Sequence, residues 1–107
     1  MISRIVTCTI DPEKISEFKS ALNDTFLPRI QAQGGFIDNI EALDAASGEF
    51  CCTTLWESAA DVQKYDQGLF QEVAAAISPL LKEQPTVRTL QVENSSLHNI
   101  KAGSAAA

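Results

Sequence analysis

The side chains best suited to chemistry in this 107-residue chain gather around its second half. Trp56 closes a stretch of strand-forming residues and joins a large apolar surface to one N–H donor. It could wall a pocket and donate to a ligand oxygen, or it could simply fill a core. Tyr65 and Phe70 flank Gly68, where a helix should break. Aromatic rings at such a break suit a flat apolar ligand, and the Tyr65 hydroxyl could orient a phenol or quinone oxygen. Rings on a helical stripe also serve as plain core, so both uses stay open. Asn39 and Arg88, each on a predicted strand, are the remaining polar candidates; either points into a cavity or out to water.

Other chemistries lack their residues. Cys51 and Cys52 are adjacent, so on a strand they point to opposite faces and cannot jointly grip a metal. No Cys-x-x-Cys, no His/Cys pairing and no carboxylate cluster marks zinc or iron, so no metal is expected and the thiols read as structural. Gly34-Gly35 closes a helix and does not open one, which removes a phosphate-cradling loop. The sole histidine, His98, lies near the C-terminus, and no nucleophile–base pair is legible.

These candidates need elements to hold them. Ile2 to Ile10 is rich in Ile, Val and Thr, the composition of a strand. Asp11-Pro12 then offers a helix N-cap with proline at the first helical position. Ile15, Phe18, Leu22, Phe26 and Ile30 follow close to the helical period, with Pro28 expected to bend or break the helix and Gly34-Gly35 to stop it. Phe36 to Leu43 reads as a second strand, Ala46-Ser47-Gly48 as a turn, and Phe50 to Trp56 as a third strand, together an antiparallel hairpin. Ser58 with Asp61 resembles a capping box opening a second helix. Beyond Gly68, the stripe Phe70, Val73, Ile77, Leu80 and Leu81 continues helical, with Pro79 as its late break. Pro85 is expected to precede a fourth strand over 86–93. Two βαβ crossovers joined by a hairpin predict an α+β domain of ferredoxin-like, split βαβ topology over residues 1–94, helices on one face of an antiparallel sheet. Residues 95–107 read as a C-terminal tail.

Composition narrows the partners. Eight basic against 14 acidic residues give a net charge of −6, with no Lys/Arg cluster for phosphate backbones, so neither nucleic acid nor an acidic membrane surface is expected. No apolar run reaches the length of a signal peptide or a bilayer span. Three cysteines without framework spacing suggest reduced thiols, and the expectation is a cytoplasmic protein. At 45% hydrophobic content a chain this short has a modest core, which self-association would relieve. The strands agree: Phe50, Cys52, Thr54 and Trp56 alternate with Cys51, Thr53 and Leu55, and Val6, Cys8 and Ile10 with Ile5, Thr7 and Thr9. Neither face is strongly polar. Helices would cover one, and a second copy's sheet the other, predicting a homodimer.

The run Thr54-Leu55-Trp56-Glu57-Ser58, the Tyr65 and Phe70 that follow it, and Pro85-Thr86-Val87-Arg88 resemble the antibiotic biosynthesis monooxygenase-like family of dimeric α/β barrels, over about residues 1–94. The resemblance implies a dimer whose sheets face each other, with a small-molecule pocket between each sheet and its own helices. It also implies one of several chemistries. Some members oxidise quinols or polyketide-like aromatics with oxygen and no metal or organic cofactor; others degrade haem. The haem-degrading branch uses an Asn on strand 1, the strand-3 Trp and a His on the second helical segment. Trp56 is present here, but Ile2 to Ile10 holds no Asn and residues 58–82 hold no His, so haem degradation is disfavoured. Cofactor-free oxygenation needs an electron-rich substrate, a dry shaped site and donors for a developing oxyanion. Trp56, Tyr65 and Arg88 are the expected donors, and Asn39, Trp56, Tyr65 and Phe70 the expected substrate contacts. Two functions remain: a cofactor-independent monooxygenase acting on a small aromatic or quinol, and a small-molecule-binding or structural dimeric module without chemistry.

Overall fold

The computed structural model describes residues 1–98. The first strand, β1 (Ile2–Ile10), lies inside a four-stranded sheet of order β2-β3-β1-β4, in which β2 is Phe36–Leu43, β3 is Glu49–Trp56 and β4 is Leu81–Gln91. Every neighbouring pair is antiparallel. This is the ferredoxin-like α+β fold, its first crossover running from β1 to β2 and its second from β3 to β4. Among the described residues no helix is long and apolar enough to cross a membrane.

The period of the strands selects the buried face. Val6, Cys8 and Ile10 of β1 and Phe50 and Trp56 of β3 point to the same side and are buried, joined by Phe18, Leu22, Ile30, Tyr65, Val73 and Ile77 from the helices. The other face carries Ile5, Thr7, Cys51, Thr53 and Leu55, with Ile40 and Leu90 strongly exposed beside them.

Helical structure begins with a 3-10 turn over Pro12–Lys14, where the Asp11 carboxylate accepts from the Glu13 amide. It runs on as α1 (Ile15–Lys19), a π-helical stretch over Ser20–Phe26, and α2 (Leu27–Gln31). The π stretch has two sequence causes. Phe18, Leu22, Phe26 and Ile30 recur every four residues, a spacing that drifts about 40° per step on an α-helix of 3.6 residues per turn. Wider turns cancel that drift and keep all four buried. Pro28 cannot donate to a carbonyl one turn back, and the chain shifts register just before it, with the Leu27 amide bonding the Leu22 carbonyl. The expected break is therefore a change of helix type.

In the second crossover Ser58 caps α3 (Ala59–Gln67) by accepting from the Asp61 amide, while its hydroxyl donates to the Asp61 carboxylate at 2.7 Å. Gly68 separates α3 from α4 (Leu69–Ile77), and a 3-10 turn over Ser78–Leu80 follows. The chain then enters β4 earlier than expected, with Pro85 inside the strand. β4 pairs only with β1, and Pro85 falls where its register shifts between Thr7↔Thr86 and Thr9↔Glu83, so the missing N–H interrupts no regular ladder. The hairpin turn depends on Gly48, whose φ of +83° favours glycine and whose carbonyl accepts from the Ile10 amide at 2.8 Å. A Cβ there would collide with the Ile10 carbonyl oxygen. Of the stretch read as a tail, only residues 95–98 lie among the described residues.

Candidate functional site

Sheet and helices enclose a cavity of about 40 Å³. The sheet contributes Arg4, Cys52, Thr54, Asn39 and Glu41 to its wall, and the helices contribute Phe18, Leu22, Tyr65, Phe70 and Val73 among others. A wider groove of about 370 Å³ lies on the open face, between Thr7, Thr9, Glu49, Cys51, Glu83 and Thr86. Its wall is threonine and carboxylate at the surface, without the apolar enclosure that strips water from a ligand. The internal cavity is the better candidate despite its size.

Tyr65 and Phe70 both reach this wall because Gly68 turns the chain between them, leaving their ring centroids 5.8 Å apart. Burial pushes the Tyr65 phenol up to about 12, so the hydroxyl keeps its proton at neutral pH and can donate. Asn39, opposite Thr54 in the β2–β3 ladder, also reaches the cavity. It accepts from the Cys52 thiol at 3.1 Å and donates to Glu41 Oε2 at 2.9 Å. With its amide nitrogen turned toward Glu41, Asn23 of the π stretch donates to the same oxygen at 2.8 Å. Burial first, then the Glu41 charge, raises the Cys52 thiol to about 12, and burial lifts Cys8 to about 11. Neither is a thiolate nucleophile at neutral pH.

Two expected site residues sit elsewhere. Trp56 is fully buried and absent from the cavity wall. It packs behind Tyr65, stacked at 5.1 Å, with the Phe36 ring edge-on at 5.6 Å. Its Nε1 donates to Thr54 Oγ1 at 2.8 Å, so the indole N–H is already taken. Arg88 pairs with Ile5 in the β1–β4 ladder and shares its face, the open one, on the far side of the sheet from the cavity. Neither expected donor lines this cavity: the Trp56 N–H is held by its own hydrogen bond, and strand register sets Arg88 on the opposite face.

The cation on the cavity side is Arg4, a residue that no sequence motif marks. It is 2% exposed, pairs through Nε with Asp66 Oδ1 at 2.8 Å, and lies 4.1 Å over the Phe70 ring and 5.0 Å over Tyr65. Its Nη2 is buried without a hydrogen-bond partner. One signal could have found it: Arg4 has the parity of Val6, Cys8 and Ile10, a charge in register with the apolar face of its strand.

No protein-family model matches the chain, and no curated protein matches it in sequence. Solved structures do share its fold. A monooxygenase of Streptomyces coelicolor, solved in complex with the ligand nanaomycin D, superposes with a TM-score of 0.75 at 16% identity, covering 88% of each chain. A structure named antibiotic biosynthesis monooxygenase gives a TM-score of 0.71 at 17% identity, over 86% of this chain and 98% of that one. Rv0793 from Mycobacterium tuberculosis gives 0.73 at 17% identity, over 89% and 97%. The chain has the fold of structures named antibiotic biosynthesis monooxygenases.

Proposed function

We propose that this protein binds a small aromatic or quinol molecule between its sheet and its helices and oxygenates it without a metal or organic cofactor. The observation that carries this reading is the makeup of the cavity wall: Tyr65 and Phe70 face it from the helices, and the Arg4 guanidinium closes one side. The fold shared with a monooxygenase solved in complex with nanaomycin D supports a small-molecule ligand.

The chemistry asks little of the protein. An electron-rich phenolate passes one electron to dioxygen, and the radical pair combines at carbon to give a hydroperoxide. Loss of water then leaves a carbonyl where a methylene stood, so one methylene and one dioxygen become one carbonyl and one water. Arg4 would steady the oxyanion and Tyr65 would donate to a second oxygen. The ligand would enter already ionised, since Glu41, the carboxylate on the wall, is held by Asn39 and Asn23. Trp56 would act from behind, fixing Tyr65 by stacking and Thr54 by its hydrogen bond. A homodimer joined through the open faces would shield the sheet and stiffen the cavity floor.

One observation favours the second reading, a binding module without chemistry. The cavity is about 40 Å³, whereas a cavity that accepts benzene is about 150 Å³. A ring enters only if the residues of the wall move apart. An oxygen electrode with a panel of hydroxyanthrones, which carry both the acidic oxygen and the methylene, separates the two. Uptake matched one-to-one by product, with one atom of labelled dioxygen in the carbonyl, is the expected result. Saturable binding with no uptake across the panel would leave the binding module.

A further inference from the structure

We infer that Arg4 anchors an acidic oxygen, so that the cavity takes its ligand as a ring-bearing phenolate; this rests on the cavity being the ligand site proposed above. Strand parity forces Arg4 inward among apolar side chains, where a guanidinium is tolerated only if its donors are used. Nε is used, by Asp66 at 2.8 Å. The Phe70 and Tyr65 ring centroids lie 4.1 Å and 5.0 Å from its central carbon, and neither residue bonds Nη2. Nη2 is left buried and unpartnered on a residue that lines the cavity.

The other charged and polar groups nearby do not complete it. Asp66 is 36% exposed and bonds only the Nε side, so its neutralisation of the inner edge is partial. Glu41, on the same cavity wall, is held by Asn39 and Asn23. The Cys52 thiol donates to Asn39 and stays neutral, so it supplies no anion. An arginine placed only for structure would have its fork filled from the protein. This one keeps a donor for something that arrives, and a guanidinium edge prefers an oxygen anion. The Tyr65 and Phe70 rings beside it select a flat carrier for that oxygen.

The test compares 4-nitrophenol with its methyl ether, 4-nitroanisole, by titration calorimetry on the full chain. The two have the same ring and nitro group and differ in the acidic oxygen. Wild type should bind the phenol at least about tenfold more tightly, a gap of about 1.4 kcal/mol. Its affinity should rise with pH as the phenol ionises. In Arg4→Met the preference should fall to near one, while Arg4→Lys keeps part of it. Equal affinities in wild type, or a phenol affinity that falls as the phenol ionises, would overturn the anchor while leaving the cavity as a ligand site. No binding of either compound would overturn both. Should Arg4→Met fail to fold, the wild-type pair and its pH dependence decide alone.

Discussion

Trp56 Nε1 donates to Thr54 Oγ1 at 2.8 Å, across two residues of one strand. Thr54 in turn lines the cavity and Trp56 does not. The indole therefore reaches the site through a hydroxyl. Its contribution is to hold Thr54 and Tyr65 still. Thr54→Val would keep the shape but strand a buried indole N–H, and should cost about 1–3 kcal/mol in urea unfolding. A loss in ligand affinity much larger than the loss in stability would instead place the Thr54 hydroxyl in direct contact with the ligand.

Tyr65→Phe keeps the stack on Trp56 and removes only the hydroxyl. Binding of a hydroquinone, followed by quenching of the single tryptophan, should weaken by roughly 0.5–1.5 kcal/mol with little change in melting. Unchanged binding would leave Tyr65 as a wall and no more.

The open face should pair with a second copy. Ile40 and Leu90 are 56% and 48% exposed on it, and light scattering at micromolar concentration should report about twice the 11.6 kDa chain mass. Leu90→Arg should shift the particle toward monomer, since an unpaired charge buried at such an interface costs several kcal/mol. A wild-type monomer at that concentration would rule the pairing out.

Stability should decline in alkali. Unfolded, Cys8, Cys52 and Tyr65 lose their protons near 9, 9 and 10; folded, they hold them to about 11, 12 and 12. Above about pH 9 the unfolded chain thus binds fewer protons than the folded one, and stability falls as pH rises through the folded values. Below that window the contribution is intact. Urea midpoints measured upward from pH 8 should drop, and Cys52→Ala should flatten the slope. A midpoint that rises across the window would contradict the buried, neutral state of these groups.

Gly48→Ala should be costly for a reason local to the hairpin. The left-handed φ and the collision with the Ile10 carbonyl together should remove about 1–3 kcal/mol. An Ala variant as stable as wild type would mean that the turn can be rebuilt.

Alternation and capping are local physics, and they make most of the fold legible in the residues themselves. Strand β2 runs over Phe36–Leu43 as its composition implies, and Ser58 caps α3 as its spacing with Asp61 implies. Parity along β1 and β3 separates the two sheet faces, and it also carries the sign of a buried Arg4. Strand register, by contrast, belongs to tertiary structure. β4 is exposed along almost its whole length and carries no alternation to read, so only its pairing with β1, through two shifts near Pro85, decides that Arg88 faces away from the cavity. Trp56 shows the same division. Composition puts a large amphipathic ring at the end of β3, but whether its N–H is free depends on Thr54 turning a hydroxyl toward it. The order of residues settles which side chains can be buried, because burial follows the period of each element. Which of them keep something to bind with is settled by the packing of strand on strand and ring on ring, because a donor is free only when no neighbour reaches it.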